Sequence, residues 1–254
     1  LFPSKYKPTA ITLHNIKPSE DKWFNELLDM LQQKYEFINP DKLSNLENEN
    51  NKSILLTFDD GFKRNRIIAE KFLNPRKIKA LFFIPTEFIN LDIDNSIEFT
   101  KKNYFPNSRH KKINLKNCEA ISFEDIKWLI NNDHKIGAHT ATHPDLNSIN
   151  EDELQKEIID SADFLEKKVN TKIISFAYPF GSIKYINKKS LELVKKRFKY
   201  AFTNIRGNLL DSPNKFLLLR QNISADTPKW KINAILEGKL DWIYTKDKKK
   251  LFKL

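Results

Sequence analysis

The stretch Ile54-Leu55-Leu56-Thr57-Phe58-Asp59-Asp60-Gly61 decides how this chain is read. Its first five residues are a short apolar run broken only by a threonine, and a turn residue bounds it, which fits a buried strand. The run ends on two adjacent carboxylates. Like charges at that range repel, and burial penalises both, so something must offset them; a divalent cation is the simplest candidate. In a regular strand the two side chains would face opposite ways. Gly61 ends the strand and can let both turn toward one pocket. Taken alone, the pair is also explained by a helix cap next to a solvated loop aspartate.

Similar short runs recur on both sides. Residues 10–14, 80–84, 135–139, 173–178, 200–203 and 216–220 read as further strands, with Pro85 stopping the second. Helical patterns lie between them. Ser19 is placed to cap a helix carrying Trp23, Phe24, Leu27, Leu28 and Leu31 on one face. Further helices are expected over 66–72, 151–168, 187–197 and 230–236, and Ser122 with Asp125 reads as a capping box opening one through Ile130. Residues 45–52 read as a polar connection, 90–117 as an inserted loop region and 246–254 as a basic tail. About seven strand-like runs at roughly 30-residue spacing indicate βαβ units. The expected fold is therefore α/β, a single-domain barrel of parallel strands over residues 1–245. In such barrels chemistry sits where strands run into loops, and His14, Asp59, Asp60, His139 and Tyr178 all fall there.

The second motif is Gly137-Ala138-His139-Thr140-Ala141-Thr142-His143-Pro144. Histidines four apart can point the same way on a turn or helix start, and imidazole suits zinc, cobalt and nickel. The spacing alone is a weak signal, equally met by surface histidines. Joined to the aspartate pair it gains weight: one carboxylate and two imidazoles leave coordination positions open for water and substrate. His110 and His134 sit in polar surroundings and read as exposed; His14 ends an apolar run, as a satisfied core histidine also would. The third motif is Phe176-Ala177-Tyr178-Pro179-Phe180-Gly181. Pro179 biases Tyr178 to an extended backbone, and Gly181 permits a sharp turn. The segment can present the Tyr178 N–H to a reacting oxygen, or simply be an aromatic strand end.

In this order, Thr-Phe-Asp-Asp-Gly, His-Thr-x-x-His and aromatic-Pro-aromatic-Gly resemble the polysaccharide deacetylases of the NodB-homology, carbohydrate esterase 4 family. The resemblance runs from about residue 10 to about residue 225 and implies a distorted (β/α)7 barrel. It implies Asp60, His139 and His143 as ligands of a divalent metal ion, zinc first and cobalt or nickel next, Asp59 as catalytic base, and the Tyr178 N–H as oxyanion donor. The implied reaction is hydrolysis of N-acetyl groups on an amino-sugar glycan, with release of acetate. Two family features are missing: an arginine in the third motif, where Ser175-Phe176-Ala177 stands, and a leucine-histidine pair near the C-terminal end, where Leu217-Leu218-Leu219-Arg220 stands. The poly-N-acetylglucosamine deacetylases depart similarly, with the acid histidine near the N-terminus, and Leu13-His14-Asn15-Ile16 is similar to that arrangement. It implies His14 as general acid and Arg220 in the arginine's place beside Asp59. The competing expectations are a catalytically weak carbohydrate-binding relative and a hydrolase of another non-peptide C–N amide.

Composition narrows the rest. With 254 residues, 40% hydrophobic and 12% aromatic, the chain can bury a sizeable core. One cysteine, Cys118, rules out an internal disulfide framework and a multi-cysteine zinc site, and reads as a half-buried thiol. The net charge of +11 favours anionic partners. The lysines are spread out, and no nucleic-acid-binding motif accompanies them, so no nucleic-acid partner is expected and association with an anionic cell envelope is. The expected setting is extracytoplasmic: cell envelope, periplasm or secreted. It opens on Leu1 rather than Met, which reads as a trimmed product whose missing piece can be a signal peptide or anchor.

Overall fold

Ser53–Phe58 is buried along its whole length, and that is why it holds the centre of the sheet. Strands buried on both faces pair in parallel and are covered by helices. The computed structural model describes residues 7–48, 52–106 and 115–254. Their strands are β1 (Thr9–Leu13), β2 (Glu36–Phe37), β3 (Ser53–Phe58), β4 (Ala80–Ile84), β5 (Lys135–Ala138), β6 (Ser175–Ala177), β7 (Tyr200–Phe202) and β8 (Gln221–Asn222). They form one sheet in the order β7-β6-β5-β4-β3-β1-β8, with β2 beside β3 and every strand pair parallel. The sheet curls into a distorted (β/α)7-type barrel. Its seam is brief: Leu218 donates to Ala201 O at 2.8 Å and accepts from Thr203 N at 2.8 Å, which joins β7 to the approach to β8.

The helices are α1 (Asp21–Gln32), α2 (Lys63–Ile68), α3 (Ile93–Phe99), α4 (Phe123–Asn131), α5 (Glu151–Gln155), α6 (Ser161–Val169), α7 (Lys188–Arg197), α8 (Lys229–Leu236) and α9 (Thr245–Leu251). A π turn, Lys156–Asp160, joins α5 to α6. Successive strand residues point to opposite faces, and the two faces meet different cores. Ile11, Leu13, Leu56, Phe58, Phe82 and Ile84 belong to the large core under the helices. Ala10, Leu55, Leu81, Phe83, Ala177 and Phe202 fill the inside of the barrel. Gly137 faces Phe83, whose ring occupies the space a Cβ would need.

Several expected elements differ. Ser19 does not cap α1; it lies in the 3-10 turn Pro18–Glu20, and α1 starts from Glu20 without a side-chain cap. Residues 216–220 do not form a regular strand, because their N–H groups are drawn aside. Leu219 donates to Ser212 Oγ at 2.9 Å and Arg220 to Ile205 O at 3.2 Å. The inserted region contains α3 and the π turn Thr100–Tyr104. The segment expected as a basic tail forms α9, which docks by burying Leu251. His134 is buried, not exposed, and His110 lies outside the described residues.

Candidate active site

Strand parity places the site. On β3, Leu55 and Thr57 face the barrel interior, and Asp59 continues that face one step past the strand. His14 extends β1 beyond Ala10 and Thr12, and His139 extends β5 beyond Gly137. Asn204 follows β7 in the same way, and Asn222 ends β8. His14, Asp59, His139, Asn204 and Asn222 line one pocket of about 710 Å³ at the C-terminal ends of the strands.

Asp60 breaks the parity rule. By alternation it would point at the helices. Its left-handed backbone, φ 75°, followed by Gly61 at φ 67°, turns it into the pocket instead. Thr140 (φ 68°), His143 (φ 62°) and Phe180 (φ 59°) are left-handed too. For non-glycine residues this backbone costs of order 1–3 kcal/mol each and persists only where the surroundings over-determine it.

Asp60, His139 and His143 offer ligand atoms within 4.8 Å of one another. The His139 and His143 Nε2 atoms lie 3.5 and 3.8 Å from Asp60 Oδ1. Each histidine turns its other nitrogen to a carbonyl: His139 Nδ1 to Ala177 O at 2.8 Å and His143 Nδ1 to Asn103 O at 3.2 Å. Those nitrogens therefore carry the proton, and both Nε2 lone pairs face Asp60. Burial, then the neighbouring His139, brings the His143 imidazole down to about 4, so it is neutral at pH 7. Burial would raise the Asp60 carboxyl, but the surrounding imidazoles, His139 first, outweigh this and hold it at about 2. One carboxylate and two imidazoles with converging Nε2 atoms suit a divalent ion such as zinc.

Asp59 and Arg220 form a fully buried pair. Arg220 donates to both Asp59 oxygens, at 2.8 and 2.7 Å, and also to Thr57 Oγ1 at 2.9 Å and Thr203 O at 2.8 Å. Its guanidinium lies over the rings of Phe83 and Phe202. Burial alone would raise the Asp59 carboxyl; the charge of Arg220 and its hydrogen bonds outweigh it and hold Asp59 below the usual carboxylate range. His14 is half-buried on the pocket wall, close enough to help lower both aspartates.

Tyr178 does not join them. Parity sends its side chain to the outer core, where its O–H donates to Phe216 O at 3.2 Å. Its N–H is spent on Phe202 O at 3.0 Å, the continuation of the β6–β7 ladder. Phe180, two residues on, lines the pocket with its ring 4.5 Å from that of His143. Among the described residues its N–H has no acceptor.

Three further groups escaped the sequence reading. The Tyr104 O–H donates to Asp60 O at 2.7 Å, which helps fix the left-handed turn, and Asn103 supplies the carbonyl for His143. Glu157, on the π turn, accepts the N–H groups of Ala141 and Thr142 at 2.8 and 2.9 Å and the Thr142 hydroxyl at 2.7 Å. It thus grips the loop between the two histidines. Tyr104 sat in a stretch without period, and Glu157 sat beside the apolar face of a helix like any solvated carboxylate. Cys118 is part of the wall; burial pushes its thiol up, which keeps it protonated and inert.

Comparison with known proteins agrees with this geometry. The family model described as polysaccharide deacetylase matches residues 47–200. No curated protein sequence gives a match. The deacetylase PplD of Streptococcus pyogenes, solved with acetate, is similar at 22% identity over 91% of this chain and 98% of its own, with a TM-score of 0.67. IcaB from Ammonifex degensii aligns at 20% identity over 91% and 97%, with a TM-score of 0.69. A polysaccharide deacetylase from Bacillus cereus aligns at 21% over 91% and 69%, with a TM-score of 0.68. At these identities the structures speak for the fold, and the family match spans more than half of the chain. The chain belongs to the polysaccharide deacetylase family.

Proposed function

We propose that this chain is a metal-dependent N-deacetylase that hydrolyses N-acetyl groups on amino-sugar residues of a polysaccharide or glycoconjugate. The observation that carries the reading is the convergence of Asp60, His139 and His143 beside the Asp59–Arg220 pair, with His14 on the same pocket wall. Asp60, His139 and His143 would hold the ion, zinc first. When bound, it supplies Lewis-acid polarisation of the acetyl carbonyl and eases deprotonation of water. Asp59, ionised and fixed by Arg220, takes the proton of the attacking water. The Phe180 N–H, rather than that of Tyr178, donates to the carbonyl oxygen as charge develops there. His14 gives a proton to the leaving amine nitrogen. With an imidazole on the pocket wall, the missing C-terminal histidine leaves no gap in the chemistry. The +11 charge supports an extracytoplasmic setting against an anionic envelope.

The test is acetate release from N-acetylglucosamine oligomers by chelator-stripped and zinc-reloaded protein. Reloading should restore turnover. Asp59→Asn should lower kcat by about 10²- to 10⁴-fold with the metal still bound. A reloaded protein that frees no acetate from any amino-sugar polymer would refute the reading, and near-normal turnover in Asp59→Asn would refute the base.

A further inference from the structure

The C-terminal segment combines two features that a merely solvated helix would not. Trp242, Ile243 and Phe252 are 72%, 57% and 59% exposed, while Leu251 between them in the chain is anchored in the core at 1%. Trp242 and Phe252 line one open groove, and the remaining walls carry Lys248, Lys249 and Lys253 with Thr245 and Asp241. Lys248 is engaged with Asp241 at 3.4 Å. Lys249 and Lys253 are exposed and have no acidic partner among the described residues. The segment is also held firmly. Asp241 accepts from Gln221 of β8 at 3.2 Å, and α9 packs against the 3-10 turn Ile183–Tyr185, whose Tyr185 ring lies 4.6 Å from that of Phe180 at the pocket. The aromatic groups are therefore presented outward by a docked element, not by a frayed end.

Large apolar side chains bordered by lysines match the two layers of a charged bilayer surface. Aromatic rings sit at headgroup depth, and ammonium groups reach the phosphates around them. A polyanion without aromatic bases would use the lysines and have no use for the exposed rings, and no nucleic-acid-binding motif accompanies them. We propose that the groove of α9 and the turn before it docks the protein on an anionic lipid surface, with Trp242 and Phe252 inserted and Lys249 and Lys253 on the phosphates. Through the Ile183–Tyr185 turn, this surface adjoins the catalytic pocket.

The experiment is flotation of the full chain with phosphatidylcholine vesicles, with and without phosphatidylglycerol, across a salt series. Binding should require the anionic lipid and weaken as salt rises. Trp242→Ser with Phe252→Ser should weaken it by at least about tenfold, and Lys249→Gln with Lys253→Gln by about thirtyfold. Thermal unfolding of both variants should match the parent, since all four side chains are exposed. Absence of binding to anionic vesicles at low salt would overturn the proposal. So would undiminished binding by the serine variant together with lysine-dependent binding to soluble polyphosphate, which would mark a polyanion surface. A dimer in sedimentation that the serine variant dissolves would assign the groove to a second copy and equally overturn it. None of these outcomes depends on deacetylase activity.

Discussion

Glu157 holds the two histidines at their working separation without touching either ring. Its carboxylate closes three hydrogen bonds on Ala141 and Thr142, at the middle of the loop from His139 to His143. Groups that orient ligands in this indirect way typically change metal affinity by about 10- to 100-fold when removed. Glu157→Ala should therefore weaken zinc binding by roughly tenfold or more, measured by titration of stripped protein. Glu157→Gln, which keeps one acceptor oxygen, should recover part of the loss. Equal affinities in parent and Glu157→Ala would leave Glu157 with a structural role only. At this scale the aspartate pair and the histidine pair were legible in the chain, because adjacent carboxylates and spaced imidazoles are rare enough to be noticed. The candidate oxyanion donor was not. The choice between Tyr178 and Phe180 depends on which N–H the neighbouring strand already occupies, and the local sequence does not show it.

Elements explain why His134 is buried. The turn after α4 tucks its ring beneath β4, edge-on to Phe82. Its Nδ1 accepts from the Ala80 N–H at 3.2 Å, so its Nε2–H faces Asn74 Oδ1 at 3.1 Å. A proton on Nδ1 would oppose the Ala80 N–H. Burial, then the charge of Lys79, brings this imidazole from 6.5 down to about 4. The folded state thus binds this proton less readily than the unfolded chain does. The resulting stability is complete above pH 6.5 and is lost as pH falls toward 4, on the order of 3 kcal/mol in all. Urea unfolding of the parent should weaken across that window, and His134→Gln should show a shallower slope. Parallel slopes in the two proteins would remove His134 as the cause. Six of the seven apolar runs and the long helices were read correctly because short-range periodicity survives in the chain, whereas 216–220 lost its strand to hydrogen bonds drawn aside by Ser212 and Ile205. The helix α3 was missed because its sequence, Ile-Asp-Asn-Ser-Ile-Glu-Phe, is short and mostly polar, and it folds by packing on the pocket wall.

The whole molecule couples these parts through the barrel. Asp59 and Arg220 are 161 residues apart and meet only because the chain closes its seam between β7 and β8. The ligand set likewise draws on β3 and β5, with the 100–104 turn behind it. An ion held by groups that come together only on folding stabilises the folded state. Zinc at about 100 times its Kd should add ~2.7 kcal/mol, a rise of roughly 5–10 °C in Tm. Asp59→Asn should keep this rise and His143→Ala should lose it, as read by scanning calorimetry with and without chelator. An equal rise in His143→Ala would place the ion elsewhere.

The amino-acid sequence by itself determined the fold class, the ends of the strands where polar groups gather, and the identities of the metal-ligand candidates. Each of these is written in short-range pattern: alternation, helical period and motif spacing. Tertiary structure decided that Arg220, which the sequence offered only through a resemblance, does meet Asp59, that among the described residues Phe180 rather than Tyr178 keeps a free N–H, and that Glu157 and Tyr104 brace the site. Those are contacts across the barrel. They depend on which hydrogen-bonding groups are already satisfied once the sheet has closed, and a linear chain carries no record of that count.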